Sequence, residues 1–168
     1  VSYRAVVESW QFNTPGDTEG WVARSTWTLP EGVHVALDVD GVESVLTAAS
    51  VGGNGDMAVK LADAALPVEL PAGFTKWESL VIRLRQLEGN PPDGTPIPYS
   101  GGTLVIINGV GGNLGGLPSA SEGIWTVEPQ ADNWTVFTGD LTGFDSDRPI
   151  TSFRFDPAGG LDKNFEID

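Results

Sequence analysis

The 168-residue sequence contains no cysteine and only one histidine, His34. Without cysteine there can be no disulfide bonds, thiol catalysis or cysteine-based zinc sites. A Ser-His-Asp triad would have to use His34, which lies in an alternating strand pattern with no nucleophile motif beside it. The two tyrosines are few for a lyase-type site. These absences predict a protein that is not an enzyme. The alternative is a small hydrolase, which would need a pair of carboxylates from among the 23 acids.

Basic residues are also scarce, with 9 Lys and Arg against 23 Asp and Glu and a net charge of −14. That balance argues against binding to nucleic acid, which requires a positive surface, and against anionic membranes. No apolar run approaches the roughly 20 residues of a membrane span, so membrane insertion is not expected. The acids suit an extracellular protein or a divalent cation, although they would equally keep a β-rich surface soluble.

Short alternating runs separated by glycine and proline, of which there are 22 and 12, extend along the chain. No window shows a helical period. The pattern predicts an all-β fold, an antiparallel β-sandwich or jelly roll, as a single domain over 1–168. The segments 88–102 and 108–123 are predicted to be long loops. The predicted strands are 4–12, 20–28, 33–39, 44–49, 57–62, 66–70, 77–87, 103–108, 122–127, 134–141, 150–156 and 164–168.

Six tryptophans are many for a chain of this length. An indole ring can fill a core, or it can stack on the apolar face of a sugar. Trp27 and Trp125 lie beside polar or loop residues and are the candidate sugar platforms, whereas Trp77 is open to either interpretation. The other three neighbour strongly apolar strand positions and are predicted core residues: Trp10, Trp21 and Trp134.

Three arginines lie at outward positions of their predicted strands. In 80–85 the leucines and isoleucine alternate with Val81, Arg83 and Arg85, and Arg154 has the same outward parity in 152–156. If these strands belong to one sheet, the three arginines form a basic stripe that could recognise carboxylate or sulfate groups on an acidic glycan. The alternative is cross-strand pairing with the abundant acids.

Five blocks resemble, in the same order, a broad family of secreted β-sandwich carbohydrate-binding modules with the galactose-binding-like jelly-roll fold. SWQFNTPGDTEGW is similar to the family's opening Trp-x-Phe, acidic loop and Glu-Gly-Trp. WESLVIRLRQ is similar to its central Leu-x-Ile-Arg-x-Arg strand. The resemblance spans almost the whole chain, and its blocks are 9–21, 52–57, 77–86, 132–141 and 150–168.

The resemblance also implies a structural calcium ion where the first and last strands pair. The implied ligands come from the 11–17 loop and the chain end, where oxygen donors suit a hard cation: Gln11, Asn13, Asp17 and Asp168. Acids on the outward faces of both terminal strands would repel one another without a cation. The family more often has acids at the positions of Gln11 and Asn13, and here Pro15 interrupts the acidic loop that is usual in the family. The alternative is a solvated acidic edge that discourages strand addition.

Together, these features predict a non-catalytic, extracellular module that binds a polysaccharide or other glycan. The resemblance implies that such a module is appended to a glycan-degrading enzyme or a surface protein. Trp27 or Trp125 would stack the sugar ring, and Asn54 and the three arginines would read its hydroxyls. The alternative is a structural assembly subunit, such as a cell-surface fibre, coat or virion-decoration protein, that uses the aromatic residues for subunit contacts.

Overall fold

The computed structural model describes residues 9–23, 35–39, 44–50, 58–88, 94–99, 104–109, 112–117, 125–142, 147–156 and 164–168. Its twelve strands are β1 (Trp21–Ala23), β2 (Val35–Val39), β3 (Leu46–Ser50), β4 (Val59–Leu61), β5 (Ser79–Glu88), β6 (Thr95–Ile97), β7 (Leu104–Gly109), β8 (Gly112–Leu117), β9 (Trp125–Pro129), β10 (Thr135–Asp140), β11 (Ile150–Asp156) and β12 (Asn164–Ile167). Two single 3-10 turns, Asp63–Ala65 and Ala131–Asn133, are the helical segments of this part of the chain.

The strands form two sheets, in which every pairing is antiparallel. The smaller sheet has the order β1-β4-β11-β7-β8, and the larger sheet has the order β2-β3-β12-β5-β10-β9 with β6 beside the end of β5. The all-β antiparallel sandwich predicted from the sequence is therefore confirmed.

Phenylalanines from both sheets dominate the core between them. Phe137 and Phe165 of the larger sheet and Phe155 of the smaller sheet are fully buried. In β10 and β11, which contain Phe137 and Phe155, buried residues mostly alternate with more exposed ones, as the side-chain period of two predicts. In β5 the predicted alternation is confirmed, because Ile82 and Leu84 are buried and Val81 is exposed.

Two segments predicted as long loops each contain a strand, so that prediction was wrong. Within 88–102, β6 pairs with the end of β5, and Pro96 faces Leu87 across the ladder. Within 108–123, β8 pairs with β7, although three of the six residues of β8 are glycines. Proline and glycine are depleted in strands, so neither segment has the residue preferences that mark a strand.

The last two strands belong to different sheets. β11 lies between β4 and β7 in the smaller sheet, whereas β12 lies between β3 and β5 near the middle of the larger sheet. The predicted first strand, 4–12, lies mostly outside the described residues, and its described part forms no strand. β12 is therefore an interior strand with paired neighbours on both sides.

Candidate functional site

Arg83 and Arg85 lie side by side on the outer face of the larger sheet, the side of β5 turned away from the core. Arg154 lies on β11 in the smaller sheet. The predicted stripe of three arginines on one sheet is therefore wrong. Outward parity was read correctly for each strand, but the local sequence does not say which strands share a sheet. Only the two arginines of β5 share a surface.

Each of the three arginines has an acidic partner. Arg83 Nη1 lies 2.6 Å from Asp168 Oδ2, and Arg85 Nε donates to Glu166. Both pairs join β5 to β12, where the register places Glu166 beside Arg85. The alternative of cross-strand pairing with acids is therefore confirmed for β5. Arg154 donates to Asp156 of its own strand, with Nε 2.6 Å from Oδ1.

The two pairs on the larger sheet differ in their accessibility. The side chains of Arg83 and Asp168 are each 37% exposed, whereas those of Arg85 and Glu166 are 12% and 14% exposed. A ligand on this face can therefore reach the first pair, while the second lies deeper. These acids are neutralised by arginine, so their outward position does not by itself require a cation.

Trp134 lies beneath these arginines and not between the sheets. It precedes β10, in which Thr135 and Phe137 point inward, so the strand period directs Trp134 outward. The guanidinium carbons of Arg83 and Arg85 lie 4.1 Å and 4.7 Å from the ring centroid. The predicted burial of Trp134 is confirmed, since its exposed fraction is 6%. Guanidinium groups cover the ring from outside, however, and it does not belong to the hydrophobic cluster between the sheets.

Beyond the ion pair, the outer face is open and mixed in polarity. Arg83 faces Val136 on β10, which in turn faces the exposed Glu128 on β9. One step along the strands, Val81 faces Thr138. Val81 is 58% exposed, the largest exposure of the large hydrophobic residues in the described chain. Charged, hydroxyl and aliphatic groups thus share one accessible sheet surface.

The remaining aromatic and amide candidates are not brought to this surface by the described structure. Trp27 and Asn54 lie outside the described residues. Trp125 begins β9, where its backbone faces Gly139, and its side chain is not described. The other candidates lie with the core: Trp21 and Trp77 are buried, and Trp10 packs edge-on against Trp21 with ring centroids 5.3 Å apart.

The calcium candidates lie at one end of the larger sheet. Asn13 Oδ1 accepts a hydrogen bond of 2.8 Å from Ser44 Oγ, and Asn13 Nδ2 donates to Gln11 Oε1 at 3.1 Å. Asp17 Oδ1 accepts from the backbone N–H of Glu19. Asp168 follows Ile167, which faces Leu46 at the same end of β3. The fold therefore brings the loop and the chain end to one side of the sheet.

Protein donors already occupy these oxygens. The carboxylate of Glu19, a residue that the calcium prediction did not include, accepts the backbone N–H groups of Gln11 and Phe12 at 2.7 and 2.9 Å. Asp168 faces Arg83. Across the residues that the structure describes, no group of three or more His, Cys, Asp or Glu side chains is arranged to hold a metal ion. Two of the four predicted ligands, Gln11 and Asn13, are amides that such a group does not include, so a calcium ion held by these residues stays a prediction.

Sequence reasoning identified Arg83 and Asp168 but assigned them to different sites. It did not identify Gln130, whose Oε1 accepts from Arg83 Nε at 3.3 Å, or Glu166. Asp168 and Arg83 are 85 residues apart in sequence, and only the register of β12 on β5 brings them together. The one signal in the sequence was that the Arg-x-Arg of β5 and the Glu-x-Asp of 166–168 have opposite charges at the same spacing, which favours cross-strand pairing.

The chain matches three solved structures at low identity, all of them carbohydrate-binding modules of family 29. A variant of CBM29-2 complexed with mannohexaose is 13% identical with a TM-score of 0.47, covering 93% of this chain and 82% of that chain. A second CBM29-2 variant is 14% identical with a TM-score of 0.44, covering 93% and 83%. Another family 29 module is 14% identical with a TM-score of 0.42, covering 93% and 80%.

No protein-family model matches the sequence, and no curated protein matches it. No helix of the described chain is long and apolar enough to cross a membrane.

Proposed function

We propose that this protein is a non-catalytic module that binds a glycan on the outer face of the larger sheet, centred on Arg83 and Asp168. The observation that carries the proposal is the half-exposed ion pair of these two side chains on an open sheet surface. The amide of Gln130 and the exposed side chain of Val81 flank it.

An arginine–aspartate pair suits a sugar hydroxyl because the hydroxyl both donates and accepts hydrogen bonds. The guanidinium offers only donors and the carboxylate only acceptors. With Nη1 and Oδ2 2.6 Å apart, one hydroxyl can contact both groups, and neighbouring hydroxyls of one ring can contact one group each. Val81 and Val136 offer aliphatic surface to the C–H side of the ring.

The charge balance of this surface favours a neutral glycan. Asp168 compensates Arg83, and Glu166 compensates Arg85, so the two pairs have no net positive charge. The exposed Glu128 adds a negative charge nearby, and the whole chain has a net charge of −14. A uronate or sulfate polymer would meet repulsion at long range and no uncompensated arginine at contact among these residues.

The test is binding of the wild type and two variants to immobilised neutral and acidic polysaccharides. Arg83→Gln removes the charged donor, and we expect affinity for the bound neutral glycan to fall about tenfold or more, since a charged hydrogen bond contributes about 1.5–3 kcal/mol. Lys60→Gln is the matched control, because Lys60 is 40% exposed, is paired with Asp63 and lies on the smaller sheet.

Equal binding by wild type and Arg83→Gln would contradict this placement. If the wild type binds no polysaccharide of a broad panel and forms large ordered assemblies in solution, the module is rejected in favour of the structural subunit.

We further propose that the module acts outside the cell, where a linked glycan-degrading enzyme would gain from a raised local concentration of polymer.

A structural calcium ion at the 11–17 loop also remains a proposal, supported by the oxygen-rich side chains gathered at that end of the sheet. Calcium would have to compete with Ser44, with the backbone donors and with Arg83 for the predicted ligands. If calcium binds there, the melting temperature falls on chelation in the wild type but not in Asp17→Asn. An unchanged melting temperature across chelator and millimolar calcium would contradict the proposal.

A further inference from the structure

Trp134 is held beneath Arg83 and Arg85 by the hairpin turn that joins β9 and β10. Asp132 and Asn133 adopt positive φ angles of 57° and 62° in this turn. The backbone N–H of Gln130 donates to the carbonyl of Trp134 at 2.7 Å, and the N–H of Trp134 donates to Ala131 at 3.2 Å. These bonds position the backbone of Trp134 at the start of β10, and its ring lies with its face against the two guanidinium groups.

Arg83 is restrained by three groups of different chemistry. Asp168 accepts from Nη1 at 2.6 Å, and Gln130 accepts from Nε at 3.3 Å. The Trp134 ring lies 4.1 Å from the guanidinium carbon. A guanidinium stacked on an aromatic plane and held by acceptors at its edge has little remaining freedom, which leaves its other N–H groups in fixed directions.

Trp134 itself offers almost no surface to a ligand. Its exposed fraction is 6%, and the mostly buried pair of Arg85 and Glu166 lies beside it. A sugar ring needs an open aromatic face to stack, and here the arginines cover the ring.

We propose that Trp134 is a positioning residue for Arg83 and does not itself stack against sugar. This inference rests on the proposed glycan binding at the same face. The glycan contacts the edge of the stacked guanidinium, Asp168 and Gln130, while the indole fixes the direction of the Arg83 donors. The glycan is thus recognised by hydrogen bonds to groups that lie above the Trp134 ring and not by stacking on the ring itself.

Arg83→Ala separates the two roles because they predict opposite results. The truncation uncovers the ring, so a stacking platform would keep or increase affinity for the neutral glycan that the wild type binds. A positioning role predicts that affinity falls about tenfold or more, because the positioned donor is gone. Undiminished binding by Arg83→Ala would overturn the inference and leave glycan binding by the wild type intact. No binding by the wild type itself would overturn both.

Variants of Trp134 give a second, independent readout. Trp134→Phe keeps an aromatic face, and we expect affinity within about threefold of wild type, whereas Trp134→Leu should lose about tenfold. The order parameter of the Arg83 Nε–H bond, from ¹⁵N relaxation, reports directly how rigidly the side chain is held. It should fall in Trp134→Leu but not in Trp134→Phe. An Arg83 order parameter unchanged in Trp134→Leu would contradict positioning even if that variant binds weakly through loss of stability.

Discussion

At the residue scale, several polar side chains have structural roles that the sequence did not indicate. Glu19 is the plainest case. Its two carboxylate oxygens accept the backbone N–H groups of Gln11 and Phe12, and Phe12 is buried in the core with a positive φ of 48°. A carboxylate that receives two backbone donors holds a loop much as a bound anion would. The loop before β1 is therefore stabilised from within the chain.

Glu19→Gln should accordingly destabilise the protein. The amide retains one acceptor oxygen and turns an NH₂ group toward a backbone donor, so we expect the free energy of unfolding to fall by about 1–2 kcal/mol. Denaturant titration measures this change. The control is Glu69→Gln, since Glu69 is exposed near the cis-proline turn and should change stability by less than about 0.5 kcal/mol. Equal effects of the two substitutions would refute the role of Glu19.

Individual tryptophans show where prediction from single residues fails. Trp21 and Trp77 are core residues, and Trp77 donates its indole N–H to the carbonyl of Arg148 at 2.9 Å. Trp134 directly precedes β10, a strand with buried residues, yet its ring lies on the outer face beneath Arg83. Its burial results from two arginines that are distant in sequence, and no local pattern around Trp134 contains that information.

At the element scale, alternation predicted strands well wherever side chains carried the signal. β5 and β11 have their inward and outward residues where the period of two places them. β6 and β8 were missed because a proline or several glycines leave only the backbone to define a strand. The sheet to which a strand belongs could not be predicted, because it depends on pairing with strands far along the chain. The register of each pair depends on the same distant partners.

The position of β12 explains why the chain's final acids lie in the middle of a sheet. β12 pairs with β3 on one side and β5 on the other. The ladder continues past the strand end, since the backbones of Asp168 and Arg83 exchange hydrogen bonds of 2.8 and 3.0 Å. Glu166 and Asp168 are thereby set against the two arginines of β5. This pairing, and not proximity in sequence, builds the candidate site.

At the scale of the whole molecule, the chain is strongly acidic, but on the outer face of the larger sheet two arginines are each paired with an acid. The net charge of −14 keeps the protein soluble and disfavours anionic polymers at long range. The ion pairs of the larger sheet then provide donors and acceptors at contact without adding net charge. Composition predicts that nucleic acid is an unsuitable partner, and it leaves the choice between a neutral and an acidic glycan open.

The most direct test of the central claim is backbone amide chemical-shift mapping during titration with a neutral oligosaccharide of the best-bound polysaccharide class. Glycan binding on the outer face of the larger sheet should give saturable shifts there, at Val81, Arg83, Thr138 and Asp168, and none at Lys60 on the smaller sheet. Shifts confined to the smaller sheet or to the 11–17 loop, or no saturable shift with any neutral oligosaccharide, would contradict it.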